Sequence, residues 1–554
     1  MSEASTGSPR EVRLGGASLL MASGTIVSRA LGFIKVAVLA AAIGQTGSAS
    51  ADAFGLASQL PNSVYALIAG GVLSAVLIPQ IVKASRGSDG GVAYVNKIMT
   101  LGIVIFVVVT LAAVLLAPAL VSLYASSGNE GAGFSPRAFD LAVSFAYLCL
   151  PQIFFYGLYS LLGEVLNARN VFGPFTWAPI VNNVVAILGL FVFMTLYGQA
   201  QQNSTVEGWP AEKILLLAGT ATIGIALQSL VLTFFWKRAG LRFRPDFRWK
   251  GVGLSATGKV AGWLFGMVLV TQIAGVIQTR VLSLATGDAA SVATFNASWI
   301  VIMLPHSVIA VSITTAYFTR ISGHAARSDL ISVRKDVSTA LRAIGLLLIF
   351  SAVALAVVVY PFARVFETDF HRVISMGNVI LAFLGGLVPF GAWYIVQRTF
   401  YALGHTRTTF FLQCLQAVIF ISIALVCTTL PAQWIAVGVA SGTTIAGITH
   451  ATVGVILMRK QLGGKGGRGV ARRYVNYFVL SVISGMGGVG VLVLLGGFSA
   501  TGFAQSGRFE AIVSMGLVGI VMVVIYAGLL TLTRNPEFFA MTQPLKRLLR
   551  SRAE

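Results

Sequence analysis

Charge is what this sequence has least of. Only 10% of its 554 residues are Asp, Glu, Lys or Arg, against roughly 25% in a soluble chain. That shortage excludes a water-soluble globular protein of this length. Cysteine is nearly absent: Cys149, Cys414 and Cys427 all fall in apolar runs. Their spacing suits neither a disulfide framework nor a metal site, so they read as small core residues. The 18 carboxylates are dispersed, and neither an Asp-rich Mg-diphosphate motif nor a G-x-x-x-x-G-K-S/T loop occurs. The chain is therefore expected not to be an enzyme and to need no cofactor or metal. Any transport would draw on an ion gradient, the membrane potential or downstream use of the substrate.

What the sequence does have is apolar length. Hydrophobic residues make up 56% of it, and its mean hydropathy is +0.84. The apolar runs are long enough for helices rather than barrel strands. At about 20 residues per crossing, fourteen spans are expected, near 16–43, 54–82, 98–124, 138–168, 175–197, 213–236, 256–284, 292–319, 338–363, 374–402, 409–429, 434–458, 474–497 and 510–532. The expected class is an all-α polytopic membrane protein. The polar start, MSEASTGSPREVR, reads as a disordered tail. The run after it is too long for a signal-peptide core and has no prompt cleavage site.

The net charge of +21 acquires a meaning once it is mapped onto these spans. With the N-terminus inside, cytoplasmic segments and their flanks hold 30 of the 39 Lys and Arg residues. Five lie on the other side (Arg137, Lys213, Arg364, Arg372, Arg508) and four within spans (Arg29, Lys35, Arg280, Arg398). The positive-inside rule then makes both termini cytoplasmic. The loop cations read as topology anchors that touch anionic headgroups. The densest cluster, 237–259, mixes cations with Phe243, Phe247 and Trp249, which suits an interfacial segment on the inner leaflet. Nucleic-acid binding is disfavoured beside a membrane.

That basic segment also separates two halves that echo each other. Leu60-Pro61-Asn62-Ser63-Val64 in the second span recurs as Leu304-Pro305-His306-Ser307-Val308 in the eighth. Pro151, Tyr156 and Arg169 recur at the same spacings as Pro389, Tyr394 and Arg407. The offsets, 244 and 238 residues, span an even number of crossings, so the halves would share one orientation and be related by a pseudo-two-fold along the membrane normal. The expected organisation is a cytoplasmic tail (1–15), an N-lobe of six helices (16–236), a basic linker (237–259), a C-lobe of six helices (260–458), two further helices (459–533) and a C-terminal cytoplasmic tail (534–554). Two lobes with a cavity between them describe an alternating-access transporter. Prolines within spans (Pro61, Pro151, Pro179, Pro305, Pro389) favour bent helices.

Cations at membrane depth are costly and need a partner, a wet cavity or an anionic ligand. Arg29 lies close to the middle of the first span, too deep to snorkel easily, and is expected to face a polar cavity. Lys35 lies about 9 Å further along the axis and about 120° around it; it either lines the same cavity or snorkels. Asp52 opens the second span, as a helix N-terminal charge or as a gate partner for a cavity cation. Glu164 and Arg398 suit snorkelling or interfacial pairing, and Arg280 faces either the cavity or the outer interface. The buried charge is net positive, which points to an anionic ligand such as phosphate or diphosphate.

At this point the residues resemble a known family. Ser28-Arg29-Ala30-Leu31-Gly32-Phe33, Ala51-Asp52-Ala53-Phe54 and Leu60-Pro61-Asn62 look like the opening signature of the MurJ/MviN lipid II flippases. Leu166 to Asn170, Phe172-Gly173-Pro174, Ala178 to Asn183, and Met303-Leu304-Pro305 are similar to later family regions. The resemblance covers almost the whole chain. It implies a bacterial plasma-membrane flippase of the multidrug/oligosaccharidyl-lipid/polysaccharide exporter superfamily. Such a protein carries undecaprenyl-diphosphate-linked disaccharide-pentapeptide from the inner to the outer leaflet, with lipid II, membrane lipids and cell-wall synthesis proteins as partners. It implies a cavity lined by cations of spans 1, 2 and 8, with Arg29, Lys35 and Asp52 at family positions.

This chain departs from the family pattern in two places. Ser63 to Gly70 stand where many members carry two arginines and a glutamate, and Ala297-Ser298-Trp299 stand for Ala-Asp-Arg. Arg280 and His306 are the residues that would compensate. The candidate substrate-binding set is Arg29, Lys35, Asp52, Asn62, Arg280 and His306. Alternatives are an exporter of another polyprenyl-linked glycan or of a small cation, a non-transporting scaffold of cell-wall synthesis, and a membrane transferase.

Overall fold

Without water to satisfy them, backbone amides in a bilayer must pair within their own segment, so apolar runs of this length fold as helices. The computed structural model describes residues 9–69, 91–126, 133–169, 171, 173–240, 242–248, 258–287, 289–464 and 467–542. Thirteen helices among them are long and apolar enough to cross a membrane. The expected second span is the exception. Its described portion carries Ser50, Asp52, Ser58, Gln59, Asn62 and Ser63, and residues 70–82 lie outside the described residues. So do residues 1–8, Asn170, Phe172, Trp249 and most of the two tails' far ends.

The chain forms two compact units, residues 1–44 with 48–287, and residues 45–47 with 288–554. The first holds α1 (Pro9–Ile43), α2 (Ala49–Ala69), α3 (Val92–Leu115), α4 (Ala117–Tyr124), α5 (Pro136–Cys149), α6 (Gln152–Ala168), α7 (Gly173–Tyr197), α8 (Thr220–Val231) and α9 (Gly258–Leu282). Two expectations change here. Helix α1 begins at Pro9, so residues 9–15 extend the first helix instead of forming a disordered tail; Pro is well suited to a helix's first turn. The helix α9, expected with the second half, lies in the first unit and packs on α2 and α4.

Within this unit α1 packs along α7, α2 along α5, α3 along α6, and α8 along α7. Pro151 splits the fourth span: α5 ends at Cys149 and α6 starts at Gln152. The break frees the Leu148 carbonyl, which accepts from Thr222 Oγ1 of α8 at 2.7 Å, and Gln152 donates to the same hydroxyl at 2.8 Å. A neighbouring threonine thus satisfies a carbonyl that the helix break leaves open. Pro389, at the matching place in the other half, lies inside an unbroken helix, Phe370–Ala402.

The second unit holds α10 (Val292–Pro305), α11 (Val311–Ala326), α12 (Leu330–Val357), α13 (Val359–Arg364), α14 (Phe370–Ala402), α15 (Thr406–Cys427), α16 (Ala432–Gln461), α17 (Arg468–Leu494) and α18 (Arg508–Leu532). Pro305 is followed by a π-helical turn, His306–Ala310, before α11 resumes. The last two helices are built into this unit's core. Tyr477 and Leu480 of α17 and Tyr526 and Leu530 of α18 pack with Leu346 and Ile349 of α12. Tyr474 and Tyr526 donate to the Leu341 and Leu346 carbonyls at 2.8 and 2.9 Å, which gives each buried hydroxyl its acceptor.

Candidate functional site

The membrane-spanning part of α1, Ser23–Ile43, carries two cations on different faces. Its contact with α7 runs along Gly24, Ser28 and Gly32, four residues apart and so on one side. Gly24 lies under the Trp177 indole. The Asn183 amide donates to the Ser28 carbonyl at 2.9 Å, reaching the helix beside Gly32, where no side chain intervenes. At 100° per residue, Arg29 leaves this contact and is exposed. Lys35 returns towards it and is half-buried. No acceptor for the Lys35 ammonium lies within hydrogen-bonding reach among the described residues.

Asp52 and Asn62 lie apart on α2. Ser48 caps this helix, its hydroxyl accepting from the Ala51 amide at 3.2 Å, and Asp52 sits in the first turn, 1% exposed. A carboxylate there is favoured by the helix dipole. The preceding loop is tied to residues 198–204: Asn203 donates to the Ala42 carbonyl at 2.9 Å, and Ser48 to the Ser204 carbonyl at 3.2 Å. Asn62, directly after Pro61, is exposed. Pro61 lacks an N–H to close its helical turn.

Where the resemblance led one to expect arginines on the second span, the structure has an aromatic stack. Tyr65 lies between Phe106 (6.1 Å) and Tyr156 (5.8 Å), and its hydroxyl meets Ser160. Arg280 is exposed, and its guanidinium donates to the Ser122 and Leu123 carbonyls at 3.0 and 3.4 Å. It thus closes the end of α4, as cations near helix C-termini do.

The second unit repeats the exchange of charge for rings. Trp299, at the second missing arginine position, lies 5.5 Å from Phe383 and 5.8 Å from Phe390. His306 is 4% exposed, its ring 4.4 Å from Phe390 and 5.5 Å from Tyr394. It is packed as a member of an aromatic wall. Glu367, which the sequence reading passed over, is 4% exposed and accepts the Thr46 amide at 2.7 Å. Burial raises its carboxyl above the ordinary value, although the Thr46 bond and Arg372 pull the other way. Among the described residues no three His, Cys, Asp or Glu side chains gather as a metal site.

The arrangement offers one exposed guanidinium and one half-buried ammonium on an apolar helix, with the Asn183 amide bound to the Ser28 carbonyl between the helices. Such a pair of cations can bind an anion. Asn183 and Tyr65 are the residues that sequence reasoning missed as parts of the site. The Asn182-Asn183 pair in an apolar span was the visible signal for Asn183.

Comparison with known proteins gives this geometry a lineage. The model of the family "Lipid II flippase MurJ" matches residues 14–506. A probable lipid II flippase MurJ of Haemophilus influenzae is 26% identical over 415 residues, 69% of this chain and 75% of that one. One from Borreliella burgdorferi is 21% identical over 418 residues, 74% and 76% of the two chains. A solved structure titled as lipid II flippase MurJ in an inward closed conformation superposes with TM-score 0.70 at 20% identity, covering 93% of this chain and 99% of its own. An inward-facing multidrug resistance MATE family transporter of the MOP superfamily gives 0.59 at 16%, covering 80% and 95%. The two structures share this fold. This chain belongs to the lipid II flippase MurJ family.

Proposed function

We propose that this protein is a lipid II flippase of the bacterial plasma membrane, carrying the undecaprenyl-diphosphate-linked peptidoglycan precursor from the inner to the outer leaflet by alternating access. Both termini are cytoplasmic in this reading, because that orientation puts 30 of the 39 cations inside. The observation that carries the residue-level reading is the exposure of Arg29 within an apolar membrane-spanning helix. A guanidinium there is stabilised by an anion it can grip with two parallel N–H bonds, which suits a diphosphate. Lys35 is the second cation, a point charge without that fork. Tyr65 and Trp299 occupy the other expected cationic positions, so this chain holds its substrate with fewer charges and more ring surface.

The test is replacement of the native flippase by the Arg29→Ala variant in a cell depleted of it. The expected result is accumulation of the membrane protein without growth, and without lipid II becoming accessible at the outer leaflet. Normal translocation by that variant would overturn the assignment of Arg29. Absence of translocation by the unaltered chain in liposomes would overturn the function, in favour of a scaffold.

A further inference from the structure

The basic segment after α8 closes a separate cavity inside the first unit. Trp236, Lys237, Arg242 and Phe243 line one side of a space of about 400 Å³, and Met99 and Ile103 of α3 and Leu158 and Leu162 of α6 line the other. The segment is anchored there. Gly240 takes a left-handed conformation (φ 73°) that turns the chain. The Arg244 and Asp246 amides then donate to Asn96 Oδ1 at 3.2 Å and Thr100 Oγ1 at 2.9 Å. Both acceptors are buried on α3, so the placement of the basic residues is built into the unit.

Among the described residues, three donors around this space lack acceptors. Trp236 is 7% exposed, and its indole N–H has no hydrogen-bond partner among the described residues. A buried donor left unpaired is costly, which makes an acceptor inside the cavity valuable. Lys237 and Arg242 are exposed and have no anionic partner among the described residues, and no carboxylate lines the cavity. The remaining wall is aliphatic and aromatic.

We propose that this cavity binds one anionic phospholipid from the leaflet on the basic side of the chain. Its phosphate accepts from Arg242, Lys237 and the Trp236 indole N–H, and an acyl chain lies along Met99, Ile103, Leu158 and Leu162. A free phosphate would leave that apolar wall wet, and a zwitterionic lipid would leave the two cations uncompensated. Basic pockets between transmembrane helices suit such headgroups. The bound lipid would brace the segment that leads from α8 towards α9. The site shares no residue with the Arg29 face.

The test is native mass spectrometry of the full chain in a neutral detergent, titrated separately with phosphatidylglycerol, phosphatidylcholine and inorganic phosphate. The expected result is one tightly retained phosphatidylglycerol, held about tenfold more weakly after the double change K237Q/R242Q. W236F is expected to weaken it several-fold, and R459Q, at a basic residue that does not line this cavity, to leave it unchanged. Equal retention of phosphatidylcholine, retention of phosphatidylglycerol by K237Q/R242Q at the unaltered level, or displacement of the lipid by millimolar phosphate would each overturn the proposal. Should the double variant not fold, the single change R242Q at an exposed position decides in the same way.

Discussion

The side-chain amide of Asn183 donates to the backbone carbonyl of Ser28 at 2.9 Å, one residue before the exposed Arg29. Helix α7 therefore grips α1 at the place where α1 presents its central cation. Asn183→Ala removes that bond from a buried position, at a cost of about 1 kcal/mol. It should lower the thermal unfolding temperature of the purified protein by a few degrees and reduce lipid II translocation more than that loss explains. Gly32→Leu, which puts bulk beside the same amide, should act in the same direction. Unchanged translocation in both variants would separate the grip from the site.

The two cations of α1 should respond differently to exchange. Arg29→Lys keeps the charge but loses the fork, so translocation should fall, by about tenfold for one lost charge-assisted bond. Lys35→Arg should be tolerated, because that position already works as a point charge. Initial rates of lipid II appearance at the outer face of proteoliposomes measure both. Equal sensitivity at the two positions would contradict the division of labour.

Glu367 carries a pH signature. Its folded carboxyl is raised above the unfolded value by burial, so the folded protein holds this proton more tightly. The associated stability is complete below the ordinary Glu range, near pH 4, and is lost as pH rises through the raised folded value. Glu367→Gln keeps an acceptor for the Thr46 amide and removes the ionisation. Its unfolding temperature should match the unaltered chain at low pH and exceed it near neutrality. Parallel pH profiles for the two proteins would refute this.

Close packing of α3 on α6 should make Gly157 intolerant. A Cβ there would come within 2.3 to 2.5 Å of the Phe106 ring, which is 2% exposed. Gly157→Ala should cost about 1–3 kcal/mol through overpacking. A drop in unfolding temperature, relieved by the second change Phe106→Leu, would identify the clash as the cause.

By itself the sequence determined the class and thirteen of the spans. Those follow from one-dimensional quantities, namely apolar length, sparse charge and the 1.5 Å rise of a helix. It also placed Asp52 at a helix start, because a polar run before an apolar one is a local signal. Tertiary structure decided what side-chain neighbours alone can decide. Trp236 and Arg242 became one cavity only when residues 242–248 folded onto Asn96 and Thr100 of α3, some 146 positions away in sequence. His306 was a candidate for compensating the absent arginines and is packed against Phe390; Arg280, left between cavity and outer interface, closes α4. Pro151 and Pro389 match in sequence, yet only Pro151 breaks its helix. Helical periodicity tells which face a residue occupies, but what stands opposite that face depends on contacts between distant segments, and no local pattern encodes them.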